Sequence, residues 1–183
     1  MYADLSNWDV STITNMDRAF QGATSFNGNI SSWDVSNVTN MKEMFSGASA
    51  FNSDISSWNV ENVTNMASTF KNATAFNRNI NGWNVANVED MSDLFFSAST
   101  FNQDLNSWNV SSVTNMGGIF SRATNFNGDI SDWNVSNVTN FGNAFSRTEN
   151  FNGDISGWNT VSVTSMNSTF DKANAFDQDL SGW

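Results

Sequence analysis

The eight tryptophans stand at residues 8, 33, 58, 83, 108, 133, 158 and 183, each 25 residues after the last. A period this strict, without insertion or deletion, constrains the fold more than any bulk property, because it makes each copy one structural unit. Residues 8–182 form seven full copies, with a partial copy at 1–7 and Trp183 opening another, so 1–183 reads as a single array. Counting each copy from its tryptophan as position 1, position 3 is valine except at Thr160, and position 6 is valine or Ile13. Position 9 is methionine except at Phe141, positions 13 and 19 are phenylalanine throughout, and position 16 is alanine except at Thr148. Position 23 is isoleucine or leucine, while variation gathers at positions 10, 11, 14, 15 and 21, where every lysine and arginine sits.

Two periods lie within each copy. In Ile30-Ser-Ser-Trp33-Asp-Val35 the tryptophan and valine are two apart, which predicts one face of an extended strand. Positions 6, 9, 13 and 16 are spaced as a helical stripe, which predicts a short helix near positions 7–14. A Ser36-Asn37-Val38-Thr39 cluster would open it and Gly22, Gly47 or Asn72 would close it, with Arg122 and Arg147 making that end looser. Two helical turns do not persist alone in water, and one copy buries too little apolar surface to offset its chain entropy. Copies must therefore stack. The expected fold is a repeat solenoid with one parallel β-sheet face and a short helix per 25-residue rung.

Composition excludes whole classes of chemistry. With no Cys and no His there is no disulfide, no thiolate or imidazole zinc site, and no Ser–His–Asp or Cys–His catalysis. Eighteen acidic against seven basic residues give a net charge of −11, which argues against nucleic acid as a partner. No apolar run reaches the roughly 20 residues of a membrane span, and Met1-Tyr-Ala-Asp does not open like a signal peptide. The departures from the repeat, such as Glu89-Asp90, Phe96 and Thr148-Glu149, are scattered over different copies, so no enzyme is expected.

The phrase Trp-Asn-Val-Ser-Asn-Val-Thr-Asn at Trp133, with Met-x-x-x-Phe in most copies and Phe-Asn-Gly-Asp-Ile-Ser ending at Ser156, resembles the short repeat of the BspA-like bacterial surface proteins. The Ile-x-x-Trp-x-Val phrase is similar to the strand of leucine-rich repeats. The resemblance implies a leucine-rich-repeat-like coil, an extracellular or cell-surface setting, and a role in adhesion or surface structure without catalytic residues. Family copies often carry Cys where this chain has Ala23, Ala48 or Ala73.

Two columns are candidate sites. Position 22 holds Asp4, Asn29, Asp54, Asn79, Asp104, Asp129, Asp154 and Asp179, and in register its last four carboxylates repel one another. Either each accepts backbone N–H groups at a turn, as Asn in the same column supports, or calcium bridges Asp104, Asp129, Asp154 and Asp179. Position 2 places Asn59, Asn84, Asn109 and Asn134 away from the core, beside a position 4 that is mostly serine, as a polar array for a glycan or a protein. Position 20, Asn in every copy until Asp177, reads as a structural ladder. The tryptophans read as core, their indole N–H groups needing partners. Capping copies are absent, so both ends are expected to expose apolar faces and unpaired strand edges, as a piece of a longer array or as units joining end to end into filaments. The expected function is a non-catalytic extracellular or surface repeat protein for adhesion or filament building; the alternative is a ligand-binding module on the Asn/Asp/Ser face, with calcium as its candidate cofactor.

Overall fold

The computed structural model describes residues 5–183. Successive copies stack in register, but the secondary structure differs from the expectation. Among the described residues there is no helix and no continuous strand; parallel pairing is confined to six isolated bridges, from Asn15–Asn40 to Asn140–Ser165. The leucine-rich-repeat-like solenoid with a β-sheet face and a helix per rung is therefore incorrect. Each coil is instead a succession of tight turns. No helix among the described residues is long and apolar enough to cross a membrane.

The reason lies in where the backbone bonds go. At the anticipated strand, the Trp33 N–H donates to the Ile30 carbonyl (3.1 Å) and the Val38 N–H to the Val35 carbonyl (2.9 Å). A chain that closes on itself every three residues is not extended. At the anticipated helix, Met44 donates to Met41, Ser46 to Glu43 and Ala48 to Phe45, each three residues back rather than four. Positions 11 and 15 hold positive φ in every coil, from Arg18 (59°) and Gly22 (71°) to Ser168 (55°) and Lys172 (58°). Each is the third residue of a turn, where positive φ defines the turn class. Arg122 and Arg147 keep the same geometry (60° and 58°), so that end is not loosened.

This alternation turns every second N–H toward the next coil. Met41, Glu43, Phe45 and Gly47 donate to the carbonyls of Asn65, Ala67, Thr69 and Lys71 at 2.7–2.9 Å. A helix would direct those donors to its own carbonyls and leave the coils unbonded to one another. Thr64 and Ala75 donate the other way, to Thr39 (2.9 Å) and Ser49 (3.1 Å). The backbone ladder thus runs along the segment expected to be helical, and the turns lie where a strand was expected.

Burial follows the periodic positions. From Trp33 to Trp158 the tryptophans are buried with the valines of positions 3 and 6 up to Val138, while the asparagines between positions 1 and 3 face solvent. Phe45 and Phe51 meet within a coil at 3.9 Å between ring centroids, and each stacks on the next coil, Phe45 on Phe70 at 5.8 Å and Phe51 on Phe76 at 5.8 Å. From Trp33 onward each indole donates to the carbonyl 28 residues earlier: Trp58 Nε1 to Ile30 (3.1 Å) and Trp108 Nε1 to Ile80 (3.0 Å). Thr148, the exception at position 16, donates its buried hydroxyl to the Phe120 carbonyl at 2.7 Å. The outer coils are open, with Trp8 61%, Ile13 40% and Met166 40% exposed at positions that are buried in the middle of the array. The anticipated strand edges are absent among the described residues. Instead, the N–H groups of Met166, Ser168, Phe170 and Lys172 form an unbonded donor row, and the carbonyls of Asn15, Asp17, Ala19 and Gln21 an unbonded acceptor row.

Candidate functional site

Asn59, Asn84, Asn109 and Asn134 are exposed, and each side-chain oxygen accepts the N–H two residues on: Glu61 (3.1 Å), Ala86 (3.3 Å), Ser111 (3.1 Å) and Ser136 (3.2 Å). These Asx bonds pin the side chains, because the oxygen is engaged by the coil's own backbone. The Asn59 amide nitrogen donates to Glu61 (3.1 Å), whereas those of Asn84, Asn109 and Asn134 donate to nothing among the described residues. The result is a row of outward amide donors in fixed orientation. In the same column the Asp9 and Asp34 carboxyls lie below the usual carboxylate range, because Ser11 and Ser36 donate hydroxyl and backbone hydrogen bonds to the charged form.

The position-22 side chains accept backbone N–H groups. Asn29 and Asn79 accept the N–H groups of Ser31 (3.1 Å) and Asn81 (3.0 Å), and Asp129, Asp154 and Asp179 accept those of Ser131, Ser156 and Ser181 (3.0, 3.0 and 2.9 Å). Asp104 reaches across to the next coil, accepting the Asp129 N–H at 2.9 Å. The bonds from Ser156 and Ser181 hold Asp154 and Asp179 below the usual range. Among the described residues no three acidic side chains converge on a metal position. Asp4, the first member of the column, lies outside the described residues. At position 20 the ladder exists with a different donor: each Asn oxygen accepts the backbone N–H of the next coil, as Asn77 does from Asn102 at 2.9 Å.

The structure adds a groove that the sequence reading passed over. In coils four to seven, positions 10, 11, 14 and 15 enclose about 510 Å³. Gly117, Gly118, Gly142, Ser121, Ser146, Arg122 and Arg147 are among the residues that line it. The glycines are small because neighbours lean over them: an added Cβ on Gly118 would strike the Asp93 carboxylate and one on Gly117 the Asn140 amide. At one end Lys71 pairs with Asp93 (2.8 Å), and Lys71 and Arg122 lie 4.8 and 5.8 Å from the Phe96 ring centroid. The signal was present, since these are four of the five variable positions and carry most of the cations.

A comparison with curated proteins finds no match. A family model does match, over residues 1–108 and 93–183, and its description is "Mycoplasma protein of unknown function, DUF285". That match replaces the BspA-like resemblance, whose phrases this chain carries on a fold of turns rather than a leucine-rich-repeat coil. The two overlapping segments span the array from end to end, and the chain belongs to the DUF285 family.

Proposed function

We propose that the chain is a non-catalytic repeat module, extracellular or at a cell surface, that serves adhesion or builds an extended structure. The observation that carries this reading is the polarity of the stack. Donors at Met166, Ser168, Phe170 and Lys172 look one way, acceptors at Asn15, Asp17, Ala19 and Gln21 the other, and both flank open apolar faces. Further coils of the same pattern extend such a surface in one direction, the geometry of a heterologous, head-to-tail contact. Sedimentation velocity and negative-stain microscopy over a concentration series test it. Elongating species are expected, and a monomer at every concentration removes the filament form. Labelling of intact producing cells with an impermeant reagent tests the surface setting, and protection from it removes that part.

A second reading, a glycan- or protein-binding module, is favoured by the unengaged amide nitrogens of Asn84, Asn109 and Asn134. Glycan-array binding lost on joint substitution of these three by alanine would support it; binding unchanged by the substitution would remove it. For calcium at Asp104, Asp129, Asp154 and Asp179, thermal melts with and without EDTA decide, and an unchanged midpoint is expected from the backbone bonds those carboxylates accept.

A further inference from the structure

We propose, resting on the head-to-tail reading, that the open apolar face around Ile13 and Phe20 docks a second copy of this chain in a single register. Arg18 then pairs with Asp171 of the copy before it, and residues 180–183 of that copy take the place of residues 5–8. The face holds a cleft of about 360 Å³, lined by Leu5, Trp8, Val10, Ile13, Met16 and Phe20 among others. Where a coil precedes them the same positions are closed: Val38 and Val63 are 0% exposed, against 40% for Ile13. The last coil carries Phe170 and Phe176, on which Phe145 and Phe151 stack at 5.6 and 5.8 Å. Their outer faces are shaped to stack in turn on Phe20 and Phe26, as the donor row beside them is spaced to meet the acceptor row.

Side-chain pairing between coils follows a rule that the two end coils complete. Position 14 of one coil reaches position 11 of the next: Gln21 donates to Glu43, and Lys71 pairs with Asp93 at 2.8 Å. In the last coil position 14 is Asp171, which forms no ion pair among the described residues, and in the first coil position 11 is Arg18. Arg18 engages Glu43 through Nε and Nη2, which leaves Nη1 for a carboxylate on the other side. At the other matching positions no carboxylate meets another: Asp9 and Asp17 come against Asn159 and Asn167, and Asp177 and Asp179 against Asn27 and Asn29. A contact between two like ends sets donors against donors and, at the last coil, acid against acid.

The register makes one further demand. Trp183 stacks on Trp158 at 6.1 Å, in the place that Trp8 of the incoming copy needs. The two segments are near twins, Leu5-Ser6-Asn7-Trp8 against Leu180-Ser181-Gly182-Trp183. Each closes the same turn, Trp8 N–H to the Leu5 carbonyl (3.1 Å) and Trp183 N–H to the Leu180 carbonyl (3.0 Å). Leu5 also accepts the Trp33 indole at 2.9 Å, a bond that the Leu180 carbonyl takes over. Exchange of a like element between protomers costs little. Trp8, 61% exposed where Trp183 is partly buried, is the one that yields.

The chain has no cysteine, so introduced cysteines read the register directly. Position-8 residues bridge in parallel between coils, as Asn140 does with Ser165, which places Asn15 opposite Ser165 of the preceding copy. Bridged residues lie within the span of a disulfide, about 4.4–6.8 Å between Cα atoms. Asn15→Cys and Ser165→Cys in one full-length chain should therefore oxidise to a ladder of covalent oligomers, and either substitution alone should give none. By sedimentation velocity, Asp171→Lys should weaken association about three- to tenfold, and adding Arg18→Glu should recover it. Trp8→Ser should tighten association about two- to tenfold, because the displaced indole no longer competes. Weakening by Trp8→Ser overturns the exchange, and indifference to Asp171→Lys overturns the ion pair. Cross-links from a single variant, or elongating species that the paired cysteines never link, overturn this junction and leave an extended structure built by another contact. Monomers at every concentration overturn the junction and the head-to-tail reading together.

Discussion

Phe95 and Phe96 are consecutive residues in the same coil with opposite circumstances. Phe95 is fully buried and stacks on Phe70 and Phe120 at 5.6 Å each, as its equivalents do up and down the array. Phe96 is half-exposed, has no equivalent in other copies, and touches Lys71 and Arg122 at the groove. The inward face repeats because each ring must fit the identical ring above and below it, so a change in one copy is felt by two others. The outward face at positions 10, 11, 14 and 15 contributes backbone to the ladder but not side chains to the interior. It is therefore freer to differ, and Phe96 is one of the departures it holds.

The largest effect that probes this contrast is truncation. Phe95→Ala should cost about 3–5 kcal/mol in urea unfolding, and Phe96→Ala under about 1 kcal/mol; similar costs would break the distinction. Next is Trp108→Phe, which keeps an aromatic ring but removes the pyrrole half of the indole and its bond to the Ile80 carbonyl. It should cost about 1–2 kcal/mol by the same measurement. Smaller and opposite in sign are Arg122→Gly and Arg147→Gly, which relieve a left-handed backbone at φ near 60°. Each should stabilise by about 0.5–1 kcal/mol, the strain released less glycine's added entropy. A loss of stability there would mean that the arginine side chains hold the turn.

The smallest effect is that of pH. Asp9, Asp34, Asp54, Asp154 and Asp179 have carboxyls lowered by hydrogen bonds from the serine two residues on. A folded value below the unfolded one, which is about 4, contributes stability that is fully present above the unfolded value and is lost as pH falls through the lowered ones. Thermal midpoints should be flat from pH 7 to about 5 and decline below about 4. All five side chains are exposed, so the decline should be shallow. A steep loss above pH 5 would require another titrating group.

What could be read in advance divides along the same line. The positions that face inward, Trp33, Val35, Val38, Met41, Phe45 and Phe51 among them, are all buried, as their periodicity required. The asparagine columns were legible as acceptors, because Asn favours local bonds to backbone N–H groups. The backbone was not. Spacings of three and four residues report which side chains turn inward, and a run of turns with positive φ at positions 11 and 15 turns the same ones inward as a helix does. Position 11 gives no warning, since its occupants are Arg18, Glu43, Ser68, Asp93, Gly118, Asn143 and Ser168. The groove stayed hidden for a related reason: Ser121, Arg122, Gly142 and Arg147 lie in two copies and become neighbours only when those copies stack.

The amino-acid sequence by itself determined the unit length, the register and the identity of the interior, because an exact 25-residue period leaves one way for like to meet like. Only the tertiary structure decided how the backbone is bonded and what the surface encloses. Hydrogen bonds between coils compete with those inside a helix for the same N–H groups, and which set wins depends on the neighbouring coil being there.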